Sequence, residues 1–157
     1  MNPIRPNRRS VILTGLALAI APALPVRAGA LAMQVAKDPD CGCCADWVAI
    51  LQEAGFAVSV EEMDPAALQD RKAAAGIPEA MRSCHTGLIE GYAVEGHVPV
   101  RDILRLLDER PEAVGLAVPG MPFGSPGMGP EDQREAYDVF LIRADGSSEV
   151  FASYAAA

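Results

Sequence analysis

Three of the chain's four cysteines fall within four residues, Cys41-Gly42-Cys43-Cys44, where a strand pattern gives way to a helix pattern. Upstream, Met33 to Lys37 reads as a short apolar strand that ends at Asp38-Pro39. Downstream, Trp47, Ile50, Leu51 and Ala54 recur at helical spacing, and Gly55 closes the helix. The sulfurs therefore belong to the first turn, where unpaired backbone N–H groups and the helix dipole favour thiolate over thiol. Three thiolates on one turn repel each other strongly. The fold must bring them a cation or a covalent partner.

The remaining pattern alternates in the same way. Phe56 to Val60 reads as a second strand. Asp64-Pro65 supplies an N-cap and a first-turn proline for a helix that stops at Gly76. Thr86 to Ile89 and Tyr92 to Val94 are short strands around Glu90-Gly91, and Pro99 opens a helix with Val100, Ile103, Leu104 and Leu107 on its apolar face. Residues 115–130 hold five glycines and four prolines and read as a loop. Asp138 to Arg143 and Glu149 to Tyr154 form a hairpin around Asp145-Gly146. There is no internal repeat.

The fold class expected is α/β. The order β-α-β-α-β-β-α, with cysteines where the first strand meets the first helix, is the thioredoxin arrangement. A thioredoxin-like sandwich over residues 29–157, with a C-terminal Gly/Pro loop and an extra β-hairpin, follows as the expectation. Open α/β sheets bind ligands at the carboxyl ends of their strands. In this topology Ser83-Cys84-His85 enters the third strand near that edge, where an ordinary thioredoxin carries a cis-proline. Cys84 is thus expected to face the first three cysteines.

Residues 1–28 read as a signal peptide. Arg5, Arg8 and Arg9 precede an apolar run from Val11 to Val26 that Gly15, Pro22 and Pro25 interrupt. A spanning helix needs about 20 apolar residues. The basic start, apolar middle and small-residue end instead match a secretory signal, with cleavage after Ala28 or Ala30. Arg8-Arg9-Ser10-Val11-Ile12-Leu13 partly resembles a twin-arginine signal. No stable membrane span is expected after cleavage, and the compartment is the periplasm. All 21 acidic residues follow the leader, alongside nine basic ones, giving a net charge of −12. Such a surface repels phosphate backbones and excludes nucleic acid as a partner.

The cysteine pattern admits three chemistries. Cys41 and Cys44 form the C-x-x-C of thiol–disulfide oxidoreductases. A bridge from Cys84 to Cys41 or Cys44 would be purely structural, as in many small exported domains. Metal binding accounts for all four sulfurs, because thiolates and thioethers are soft ligands for Cu(I) or zinc. A zinc-stabilised structural domain belongs to this third class. His85 follows Cys84 directly and neutral imidazole is a common metal ligand. His97, just before the helix opened by Pro99, has only its junction position in its favour on this reading. Met121 and Met128 lie in the Gly/Pro loop, as soft ligands or as gap-filling side chains. Trp47 reads as core.

Several segments together resemble one family: Cys41-Gly42-Cys43-Cys44, Ser83-Cys84-His85-Thr86, Gly91-Tyr92, Glu95-Gly96-His97-Val98-Pro99, Gly115 to Pro122, and Gly124-Ser125-Pro126-Gly127-Met128. This is the CopG-type family of bacterial copper resistance, once labelled a domain of unknown function. The match runs from Met33 to Tyr154 and departs at Gly129, where the family continues with an acidic residue. The resemblance implies a periplasmic copper protein with a thioredoxin-like fold, binding Cu(I) or Cu(II) in a multinuclear thiolate cluster and open to redox cycling. It implies Cys41, Cys43, Cys44, Cys84, His85 and His97 as metal ligands, and other periplasmic copper-handling proteins as partners.

Export has a direct check. N-terminal sequencing of protein recovered from the periplasm should begin near Gly29 or Leu31. Intact protein in the cytosol, still carrying Met1 to Arg27, would overturn the leader assignment.

Overall fold

The computed structural model describes residues 29–157, and the expected leader lies outside the described residues. The elements are β1 (Ala32–Lys37), α1 (Gly42–Glu53), β2 (Ala57–Glu62), α2 (Pro65–Ala74), β3 (His85–Ile89), β4 (Tyr92–Glu95), α3 (Val100–Glu109), β5 (Gly115–Ala117), β6 (Tyr137–Ile142) and β7 (Ser148–Tyr154). The first seven follow the expected β-α-β-α-β-β-α order. One mixed sheet joins all the strands in the order β2-β1-β3-β4-β5-β6-β7. β1 runs parallel to β2, and β3 runs antiparallel to both β1 and β4.

Local chemistry explains the boundaries. Asp64 caps α2 by accepting from the Ala66 and Ala67 N–H groups, and Pro65 occupies its first turn. In α1, Cys44, Trp47, Val48 and Leu51 are buried at the i, i+3, i+4, i+7 spacing of an amphipathic helix. Trp47, Val48 and Leu51 join Ile103 and Leu106 of α3 and Met33, Val35, Val94, Leu116 and Val139 of the sheet in the main core. Strand alternation turns Ala93, Ala117 and Ile142 to the opposite face, where Ile77 beyond α2 packs on them. The sheet is thus covered by α1 and α3 on one face and approached by α2 on the other. At the start of α3, buried Asp102 accepts from the Tyr154 hydroxyl and so ties this helix to β7.

The expected loop over 115–130 needs correction at its start. Gly115–Ala117 forms β5, parallel to β4 and antiparallel to β6. A strand of three residues opened by glycine carries no alternation to read. Its reason for glycine is steric, since a Cβ at Gly115 would overlap the Ala93 carbonyl oxygen of β4. The expected C-terminal hairpin is present as β6 and β7, with a register shift between Val139 and Phe140.

Gly115→Ala should therefore destabilise the domain by about 3 kcal/mol, because overpacking against fixed backbone admits little relaxation. Urea unfolding of the purified protein measures this. A midpoint equal to that of the unsubstituted protein would contradict the close approach of β5 to β4.

Candidate metal centre

Cys41 occupies the N-cap position of α1, with no side-chain cap and no acidic residue in the first turn. The helix therefore offers its N-terminal partial charge to sulfur and not to a carboxylate. Cys41 and Cys44 are joined as a disulfide, with 5.4 Å between their Cα atoms. Cys43 and Cys84 are free thiols. The Cys43 sulfur lies 3.6 Å from that of Cys41. All four sulfurs lie within 4.8 Å of one another.

This arrangement corrects one alternative. Cys84 carries no structural bridge to Cys41 or Cys44. The first helical turn already places those two Cα atoms inside the range a disulfide needs, so the pair closes locally.

Cys84 is the point where the arms meet. Its sulfur is 3.2 Å from His85 Nδ1 and 3.2 Å from His97 Nε2. Register explains the convergence: Thr86 stands opposite Glu95, and the Gly96 N–H donates to the His85 carbonyl, so the residues flanking β3 and β4 emerge side by side. The His97 Nδ1–H donates to the Pro126 carbonyl at 2.7 Å. A neutral His97 then presents a bare Nε2 lone pair to Cys84, the tautomer that metal-binding imidazoles use. His85 is fully buried and its Nε2 has no hydrogen-bond partner. Its ring stands 4.3 Å from that of Trp47 and 5.0 Å, edge to face, from that of His97. Trp47 Nε1–H donates to the Val98 carbonyl at 2.9 Å, which fixes the turn after His97.

Burial keeps both imidazoles and the Cys84 thiol uncharged. Desolvation, then the nearby charges of His97 and Lys72, push His85 down to about 3. Desolvation also lowers His97, partly offset by its bond to the Pro126 carbonyl. Cys84 is pushed up to about 11, by desolvation and then by the neighbouring Cys43. A thiol proton thus lies among acceptors that suit a soft cation equally well, and metal binding to thiols displaces such protons. The donor set fits a soft metal.

The Gly/Pro segment straps this site. The Ser83 hydroxyl donates to the Gly120 carbonyl, and Pro126 holds His97. Gly127, at φ +83°, presses on α1 so closely that a Cβ there would come within 2.8 Å of the Trp47 nitrogen. Met121 is exposed and Met128 half-buried on the same segment. All six expected residues, Cys41, Cys43, Cys44, Cys84, His85 and His97, are therefore brought together.

Sequence reasoning missed a buried ionic network behind the site. Glu95 and Lys72 are fully buried and paired, although such charged side chains are ordinarily solvated. The available signal was a lone Glu ending the apolar run Tyr92-Ala93-Val94, and a Lys four residues after the buried Leu68.

A mixed α/β domain thus gathers four sulfurs and two imidazoles at one sheet end, a donor set of the class that suits soft metals. Residues 81–128 match the family described as "Protein of unknown function, DUF411". Two solved structures of a copper resistance protein copG, Form 1 and Form 2, are similar to the chain over nearly their whole length. Form 1 is 46% identical over 80% of this chain and 98% of its own, with a TM-score of 0.74. Form 2 is 47% identical over the same shares, with a TM-score of 0.73. Comparison with curated proteins gives no match. The chain belongs to the CopG-type family of copper resistance proteins.

The buried imidazole has a measurable signature. His85 falls from its ordinary 6.5 to about 3 in the folded state. Between those values the unfolded chain binds a proton that the folded chain refuses. Stability from this group is complete above pH 6.5 and drains away as the pH falls toward 3, by about 1.4 kcal/mol per unit at most. Urea unfolding of metal-free protein at pH 6.5, 5.5 and 5.0 should show this slope, and His85→Gln should flatten it. Identical slopes for both would show that His85 titrates normally.

Proposed function

We propose that this protein is an exported copper-binding protein of copper resistance, with copper as its cargo. The observation that carries this reading is the placement of Cys84. Its sulfur touches both imidazole nitrogens and lies within 4.8 Å of the three sulfurs on α1. Cys41, Cys43, Cys44 and Cys84 supply soft thiolates, and His85 and His97 supply nitrogen from other directions. Donors on three separate segments can surround more than one Cu(I), which supports a multinuclear cluster. The frame is thioredoxin-like, the leader over residues 1–28 directs it to the periplasm, and other periplasmic copper-handling proteins are its partners. The similar solved structures bear the name copper resistance protein, which agrees with this reading.

The disulfide gives the site two states. With Cys41 and Cys44 joined, two thiols are free. Two equivalents of a small thiol deliver two electrons and two protons, cleave the S–S bond and leave four protein thiols plus one small-molecule disulfide. Copper capacity then rises with reduction, and redox cycling of the bound metal is the corresponding proposal. The same bond favours a second reading, a periplasmic thiol–disulfide oxidoreductase using Cys41-x-x-Cys44. Cys41 is the more accessible of its two sulfur-bearing residues, and Cys44 is buried.

Cys43 separates the two readings, since a C-x-x-C enzyme makes no use of it. Fully reduced protein should be titrated anaerobically with Cu(I) against a chromophoric chelator. Cys43→Ser should weaken copper binding by more than the roughly 10–100-fold typical of losing an outer-shell partner. Unchanged copper stoichiometry and affinity, together with disulfide reduction that depends on Cys41, would transfer the assignment to the oxidoreductase.

A further inference from the structure

The arms that carry Cys84, His85 and His97 are gripped from the far side of the sheet. Lys72 on α2 and Glu95 at the end of β4 have fully buried side chains, with 2.6 Å between Nζ and Oε1. Glu95 Oε1 also accepts the Ser83 N–H at 2.5 Å, and its Oε2 accepts the Thr86 hydroxyl at 2.5 Å. Lys72 Nζ donates to Thr86 Oγ1 at 3.0 Å. One carboxylate thus holds the chain on both sides of Cys84-His85, from a position two residues before His97. Strand alternation sends Thr86 and Glu95 toward α2, while His85 faces Trp47 of α1. Both charged groups bond to Thr86 and to each other, and Glu95 also to Ser83.

A buried ion pair is a poor device for stability alone. Each charge loses its hydration, and apolar replacements of similar volume often fold as well or better. What this pair adds is geometry, because an ionised carboxylate accepts several hydrogen bonds at once and fixes its donors relative to each other. Resting on the copper reading above, we propose that Lys72 and Glu95 are positioning residues that lock the Cys84-His85 arm against His97, so that both imidazoles meet the Cys84 sulfur. They act through Ser83 and Thr86 and touch no metal.

The test uses Lys72→Met/Glu95→Leu, which keeps volume and removes every grip, and Lys72→Met/Glu95→Gln, which returns an acceptor for Ser83 and a donor for Thr86. Reduced protein is assayed for Cu(I) affinity by chelator competition and for Cu–N scattering by X-ray absorption. Metal-free protein is assayed for the iodoacetamide alkylation rate of Cys84 by peptide mass mapping, with circular dichroism as the fold control. The Met/Leu variant should fold, lose about 10–100-fold in Cu(I) affinity and lose nitrogen scattering. Its Cys84 should alkylate at least about tenfold faster once its segment is released. The Met/Gln variant should recover affinity to within about threefold of the unsubstituted protein. A folded Met/Leu variant with unchanged affinity, scattering and alkylation overturns the proposal. Should that variant fail to fold, Thr86→Val, which cuts one grip, replaces it. An alkylation rate equal to that of the unsubstituted protein then overturns the proposal. If the unsubstituted protein binds no copper, the copper reading falls by itself, and the alkylation rates still decide the positioning role.

Discussion

Because Thr86 stands opposite Glu95 where β3 turns back through β4, residues 84, 85 and 97 reach the same end of the sheet. Everything else about the site is arranged around that register. β1 pairs with β3 on the other side and delivers Asp38 to Cys41 to the same end, so that α1 begins over it. A slip of one residue would turn His85 toward α2 and Thr86 toward Trp47. The register is held by side-chain as well as backbone hydrogen bonds, the Thr86 hydroxyl donating to Glu95 and the Gly96 N–H to the His85 carbonyl.

The site is electrically quiet at rest. Both imidazoles are neutral by burial, the Cys84 thiol keeps its proton, and two of the sulfurs on α1 are covalently joined. Lys72 and Glu95 pair on the opposite face of the sheet, and Asp46 is the acidic group that acts on His97. Acidic side chains, Asp38 and Asp40 among them, thus border a site of buried or half-buried sulfurs and buried imidazoles. That contrast separates the long-range attraction of cations from their final coordination, which depends on polarisable sulfur and imidazole.

Much of this was legible in the sequence. Trp47 as core, the Asp64-Pro65 helix start and the convergence of Cys84 with the three earlier cysteines follow from periodicity, capping chemistry and topology. What escaped was set by tertiary context. Gly115 to Ala117 reads as loop because its fitness for a strand lies in the absence of a side chain beside Ala93. The Glu95–Lys72 pair escaped because only the folded sheet shows that each is the other's partner. His97 had only its junction position on residue chemistry alone. Its carbonyl partner lies 29 residues further on, in a loop whose path no local pattern fixes.

The strap over residues 119–130 bears on the order in which the chain can be assembled. Its links to Ser83, His97 and α1 are all distant in sequence, so they close after the local elements have formed. Cys41 and Cys44 are three residues apart and can pair while Cys84 is still distant. In an oxidising compartment that early bond occupies two of the three thiols most exposed to mispairing. Cys84 then arrives where Cys41 and Cys44 are already joined, and it stays a thiol beside the free thiol of Cys43. The local disulfide thus serves as a protecting group for the half of the site that folding completes last.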